Sequence, residues 1–181
     1  MIQIKRFEKH YKRQTIQFSN LSFYRGINII LGANGSGKTT LLEGLAKLSY
    51  AKIEPAFDKD TLFIESEPYL PPFMRAKDYL DCIYEMGNKG GFNQNMLVFL
   101  FALEAHLDKR VYQLSKGTRY KLYLLGALFE KKEVFLYDEP FHALDDLSVK
   151  ALIALWQKQT SIIIASSHDL RGLKNQRVIR L

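Results

Sequence analysis

The run Gly32-Ala33-Asn34-Gly35-Ser36-Gly37-Lys38-Thr39 constrains this chain more than any other feature. It is a complete GxxxxGK[ST] phosphate loop, set directly after the apolar stretch INIIL and directly before TTLLEGLAKL. A strand entering such a loop and a helix leaving it turn the backbone N–H groups inward around an anion, and the helix dipole favours negative charge at the same point. The candidate phosphate contacts are therefore Gly32, Asn34, Gly35, Ser36, Gly37, Lys38, Thr39 and the adjoining Thr40. Lys38 supplies a point charge for the β- and γ-phosphates, and the Thr39 hydroxyl is a hard oxygen donor for a Mg²⁺ shared with the nucleotide.

The surrounding pattern suits that loop. Apolar runs of strand length at 27–31, 134–137 and 161–165 sit between polar or glycine-containing stretches, and helix-length segments separate them. This is the pattern of a mainly parallel sheet buried on both faces, an α/β fold. Helices are expected at 37–48, 115–129 and 147–158, the last with Leu147, Leu152, Leu155 and Trp156 as an inward face. The middle, roughly 67–113, differs, because MRAKDYLDCIYEM and NMLVFLFALEAHL read as helical with no strand between them. The expected organisation is one domain over 1–181, with a nucleotide-binding core at 1–66 and 114–181 and a helical insert at 67–113.

A second chemical signal follows about a hundred residues after the loop, where the apolar strand VFLY ends in Asp138-Glu139-Pro140. Carboxylates at the C-terminal end of a strand mark the ligand side of an open α/β sheet. Asp138 is placed to hold Mg²⁺, directly or through water, and Glu139 to polarise the water that attacks the γ-phosphate.

Composition narrows the setting. With 181 residues and 47% hydrophobic content, the chain can bury a continuous core. Its one cysteine, Cys82, has no partner within the chain for a disulfide or a zinc site, which fits a reducing cytoplasm. MIQIKRFEKHYKRQ places charges where a secretory signal needs apolar residues, and the longest apolar run, Met96 to Leu103, is too short to span a bilayer. The formal net charge of +7 favours phosphates, anionic lipid or nucleic acid without choosing among them.

Taken together, the phosphate loop, Leu114-Ser115-Lys116-Gly117-Thr118, the stretch from Tyr137 through Asp138-Glu139-Pro140 to Asp145, and His168 after SIIIASS resemble an ATP-binding cassette (ABC) ATPase in both residues and order. The resemblance covers nearly the whole chain, and LSxG between the two nucleotide motifs separates this family from other phosphate-loop enzymes. It implies a phosphate-loop fold with an antiparallel β subdomain, and a head-to-tail dimer with two ATPs sandwiched at the interface. Ser115 and Gly117 would then start a helix that meets the γ-phosphate held by the opposite subunit. His168 matches the switch histidine that contacts the γ-phosphate, and Asp145 matches the loop that communicates between paired sites. Tyr11 lies where an aromatic stacks on adenine.

The chain also departs from the family. Where a glutamine usually links Mg²⁺ to the coupling surface, alignment places Ser66, so the third metal contact falls to Ser66, or to Glu65 or Glu67 beside it. Lys116 and Thr118 replace a common glycine and glutamine, and His142 stands where serine is common, expected to face solvent. The stretch between Lys38 and Ser66 leaves little room for antiparallel strands, so that subdomain is expected to be abbreviated. Little chain follows His168, so regulation is expected from partners.

By resemblance to short bacterial transporter subunits, the chain is expected to be the ATP-hydrolysing subunit of an ABC transporter. Its partners would be ATP, a second ABC ATPase subunit and a separate transmembrane permease, at the inner face of the cell membrane. Nucleic acid is not an expected partner. The alternative is a soluble ABC ATPase acting on nucleic acid or the ribosome.

Overall fold

The structure is a computed structural model that describes residues 1–87, 91–170, 173 and 176–181. In chain order its elements are β1 (Ile2–His10), β2 (Thr15–Phe23), β3 (Gly26–Leu31), α1 (Lys38–Leu45), β4 (Lys52–Glu54), β5 (Thr61–Ile64), α2 (Ala76–Met86), α3 (Gln94–Leu100), α4 (Lys116–Phe129), β6 (Val134–Tyr137), α5 (Asp146–Gln157), β7 (Ile162–Ser167) and β8 (Arg177–Arg180). They fall into two compact units. The first comprises Met1–Glu65, Lys132–Pro140 and Ala154–Leu181; the second comprises Ser66–Lys131 and Phe141–Ile153. The second is drawn wider than the 67–113 insert, since it includes α4 and the first part of α5.

In the first unit a five-stranded sheet has the order β5-β6-β7-β3-β8, with every neighbouring pair parallel. Its central strands are buried along their length, as strands covered on both faces must be. Ile30, Val134, Leu136, Ile162 and Ile164 share a core with Leu41, Leu42 and Leu45 of α1. Phe135 stacks on Tyr137, which in turn packs against Trp156 of α5 with ring centroids 4.6 Å apart. The parallel register aligns the C-terminal ends of β3, β5, β6 and β7 along one edge, where the chemical motifs lie.

A smaller antiparallel sheet, β2-β1-β4, adds Ile2, Ile4, Phe7, Leu21 and Phe23 to the same core. Helix α1 approaches it closely: a Cβ on Gly44 would lie 2.8 Å from Phe7 Cζ. Of the stretch between Lys38 and Ser66, only the three residues of β4 join this sheet, so the subdomain is abbreviated. Its other two strands come from the N-terminal segment. Periodicity did not reveal β1, because Phe7 and Glu8 are both buried and break the alternation of Ile2 and Ile4.

The second unit is helical among its described residues, apart from a single bridge between Arg75 and Arg110. Leu80 of α2, Leu97 and Val98 of α3, and Leu122, Leu124, Leu125 and Leu128 of α4 are buried. Tyr84 meets Phe129 edge-on at 4.9 Å. Burial pushes the Tyr79 phenol up to about 12. No helix among the described residues is long and apolar enough to cross a membrane.

Candidate functional site

The phosphate loop leaves β3 at Gly32, whose N–H donates to Ser167 O of the neighbouring β7. Gly35 and Gly37 are both at positive φ, and Gly32 is crowded. Gly37 has φ +94°, and a Cβ there would lie 2.9 Å from the Phe18 ring and 3.0 Å from Ile16 Cγ2, so the antiparallel sheet presses the loop from one side. At Gly32 a Cβ would collide with Ser36 Oγ. That oxygen is buried and has no hydrogen-bond partner among the described residues, so it remains available to an anion in the loop. Asn34 and Gly35 are exposed at the outside of the turn.

Lys38, the first residue of α1, is only 5% exposed, and a buried ammonium must be paired. Its Nζ donates to Gly32 O at 2.9 Å and Ala33 O at 3.1 Å, and lies 3.4 Å from Glu139 Oε1. Thr39 Oγ1 donates to Asp138 across a sequence separation of 99 residues, at 3.1 Å to Oδ1 and 3.0 Å to Oδ2. The contact spans β7, which lies between β3 and β6 in the sheet.

Asp138 and Glu139 follow β6 directly. Asp138 is buried, and its N–H donates to Ile64 O at the end of β5. Ser166 Oγ donates to Asp138 Oδ1 at 2.8 Å and accepts the Glu139 N–H at 2.8 Å. Glu139 has φ +48°, in the left-handed region that non-glycine residues seldom occupy. Its Oε2 lies 2.9 Å from His168 Nδ1. A carboxylate oxygen accepts, so Nδ1 is the donor in this contact. Nε2 is 3.6 Å from Asp169 Oδ2.

Tyr11, in the turn between β1 and β2, reaches the same helix: its hydroxyl is 3.1 Å from Thr40 Oγ1. Lys9 Nζ sits 4.9 Å from the ring centroid. The Thr40 hydroxyl, and then Lys9, hold the Tyr11 phenol below its usual range.

Within the second unit, Ser115 is the N-cap of α4 and accepts the Thr118 N–H at 3.1 Å. Gly117 lies close to the backbone, where a Cβ would come 2.9 Å from Ala143 O. Asp145 accepts from Ser148 N at 2.9 Å and Ser148 Oγ at 3.1 Å, capping α5, and pairs with Lys121 Nζ at 2.6 Å. Glu67 is ion-paired with Lys116 at the start of α4, and that lysine holds its carboxyl below the usual range. Ser66 is half-buried, while Glu65 and His142 are exposed.

Comparison with known proteins gives the chain's family. The AAA domain family matches residues 1–135. The cytochrome c biogenesis ATP-binding export protein CcmA of Legionella pneumophila (strain Lens) is 29% identical over 163 residues, covering 80% of each chain. The dimeric structure of a bacterial ABC transporter cassette, MJ0796, superposes with a TM-score of 0.76 at 20% identity, covering 100% of this chain and 94% of that one. The archaeal ribosome recycling factor aABCE1, solved with the stalk protein aP1, gives 0.84 at 20% identity over 99% of this chain and 36% of its own. The two structural likenesses bear on fold alone. The chain is an ABC-type ATPase of the AAA domain family.

The residues expected to handle the nucleotide gather at the C-terminal edge of the parallel sheet. Lys38, Thr39, Asp138, Glu139 and His168, from three separate segments, are brought together there, with Tyr11 and Thr40 beside them. Ser166 is the residue that sequence reasoning missed. Its one signal was a polar residue closing the run SIIIAS, a burial that demands partners.

The donor set fits Mg²⁺. A hydroxyl and a carboxylate about 3 Å apart are hard oxygen ligands, and Mg²⁺ is commonly held by one or two such groups while phosphates and water complete its octahedron. Among the described residues no group of three or more His, Cys, Asp and Glu side chains forms a cage.

Proposed function

We propose that this ATPase binds MgATP at the edge formed by the phosphate loop, Asp138, Glu139 and His168, and hydrolyses it as half of a head-to-tail dimer that drives a separate permease. The observation that carries this reading is the continuous set of contacts Thr39–Asp138–Ser166–Glu139–His168, with Lys38 paired to Glu139. Gly32, Asn34, Gly35, Ser36 and Gly37 wrap the phosphates, Lys38 neutralises the β- and γ-groups, and Tyr11 offers the base a ring face. Thr39 and Asp138 hold the metal. When bound, Mg²⁺ draws charge from the β- and γ-phosphate oxygens.

Glu139 takes the proton of a water whose oxygen bonds to the γ-phosphorus as the bond from that phosphorus to the β–γ bridging oxygen breaks, so ADP leaves and phosphate forms. His168, oriented through Nδ1 by Glu139, turns Nε2 toward the γ-phosphate. Ser115 and Gly117 at the start of α4 meet the γ-phosphate held by the second subunit, and Asp145 lies in the loop that relates the two sites. The short transporter subunits that this chain resembles support a permease partner at the inner face of a membrane. So do the exposed Tyr69, Phe73 and Tyr112 of the second unit, a set of large apolar side chains in water.

The test is Glu139→Gln. Amide for carboxylate keeps shape and removes the proton acceptor, so ATP should bind and stay intact. Sedimentation with MgATP should show a dimer, and without it a monomer. A monomer at saturating MgATP counts against the homodimeric sandwich, and continued hydrolysis removes Glu139 from its role.

A further inference from the structure

Ser166 lies in β7 one residue past Ala165, the partner of Tyr137 at the end of β6, and is fully buried. A hydroxyl in such a strand is unfavourable unless its donor and acceptor functions are both met. Here both are met by the two acids: Oγ–H goes to Asp138 Oδ1 and the Glu139 N–H comes to Oγ, each at 2.8 Å. One atom therefore holds the side chain of the first acid and the backbone of the second. The second hold matters because Glu139 has φ +48°, a conformation that persists only when its surroundings impose it. In that conformation the Glu139 carboxylate reaches His168 Nδ1 at 2.9 Å and Lys38 Nζ at 3.4 Å. The first hold is also directional. Asp138 Oδ1 accepts from both Ser166 and Thr39, whereas Oδ2 accepts from Thr39, so Oδ2 keeps the freer lone pair for a metal.

We propose that Ser166 is a positioning residue for hydrolysis, whose single hydroxyl locks the Glu139 backbone in the left-handed turn that aims its carboxylate while fixing the orientation of Asp138. This rests on Glu139 being the proton acceptor. With its hydroxyl engaged by both acids, Ser166 acts through its two neighbours. Alanine at this position releases the Glu139 peptide and leaves its N–H without the partner, so the carboxylate loses its aim while the phosphate loop and Lys38 remain in place.

The experiment compares Ser166→Ala, Ser166→Thr and Ser166→Cys in the full chain, reading steady-state turnover, affinity for a fluorescent ATP analogue and thermal unfolding. Misplacing a catalytic group by about an ångström costs roughly a hundredfold. In Ser166→Ala, kcat should fall by about ten- to a hundredfold, with nucleotide affinity changed less than about threefold. Ser166→Thr, which keeps the hydroxyl, should recover most of the rate. Ser166→Cys, a weak donor of similar size, should fall between serine and alanine, and serves if the alanine variant does not fold. An unchanged kcat in Ser166→Ala or Ser166→Cys overturns the proposal, as does a parallel loss of affinity and kcat. Equal loss in the threonine and alanine variants, with both folded, also overturns it. Glu139→Gln run alongside separates the two levels: if that variant hydrolyses ATP normally, the assignment of Glu139 has failed, whereas a dead Glu139→Gln with a normal Ser166→Ala sinks Ser166 alone.

Discussion

Lys38 illustrates how one side chain ties its own loop to a carboxylate far along the chain. Its ammonium ties the Gly32 and Ala33 carbonyls and balances Glu139 within a buried setting. Bound phosphates would compete with that carboxylate for the same charge. Lys38→Ala should therefore lower MgATP affinity by about ten- to a hundredfold, the range for losing a hydrogen bond to a charged group, and abolish turnover. Titration with a fluorescent nucleotide checks the first and phosphate release the second. Turnover within twofold of the unmodified protein, with folding confirmed, would remove Lys38 from the site. The spacing within the loop already marked this lysine as the expected phosphate ligand. Its pairing with Glu139 was invisible, because 101 positions separate the two.

At the scale of elements, Asp145 shows how a loop residue starts a helix. It caps α5 through the Ser148 N–H and pairs with Lys121 of α4. The Lys121 contact, and then the Ser148 N–H, lower its carboxyl pKa from 3.8 to about 2. A carboxylate with a depressed folded pKa stabilises fully above its unfolded value and loses that contribution as pH falls from 3.8 toward about 2. Asp145→Ala should cost about 1 kcal/mol at pH 7, the usual cost of a lost N-cap, with the ion pair adding little because the Asp145 side chain is half exposed. Melting the two proteins from pH 7 to pH 2 should show the difference shrink below pH 4. A difference constant with pH would mean that the charge is not what caps the helix. The helix itself was legible from its apolar face, and Leu152, Leu155 and Trp156 are indeed buried. Leu147, expected on the same face, is 77% exposed, since it falls in the first turn of α5, ahead of those core positions.

For the whole molecule, the proposed partners divide by surface. The second unit exposes Phe73 and Tyr112 with their rings in edge contact at 6.1 Å, and Tyr69 is 85% exposed in the same segment. If this surface meets a permease, the chain expressed in its own cells should be recovered with membranes. The double variant Phe73→Ser/Tyr112→Ser should shift toward the soluble fraction. A soluble wild-type protein that binds nucleic acid with steep salt dependence would instead assign the net charge of +7 to nucleic acid.

The amino-acid sequence by itself determined the class of fold and marked the residues expected to form the nucleotide site. A phosphate loop depends on residues adjacent in the chain, and buried strands and amphipathic helices leave short-range periods that can be read directly. Tertiary structure decided which distant residues share an atom. Thr39 meets Asp138, and Ser166 joins Asp138 to Glu139, only because the sheet places β7 between β6 and β3. No local period encodes that order, which follows from how the strands bury their two faces together. The same holds for β1 and β4, whose irregular or very short patterns become strands once an edge is present to pair with.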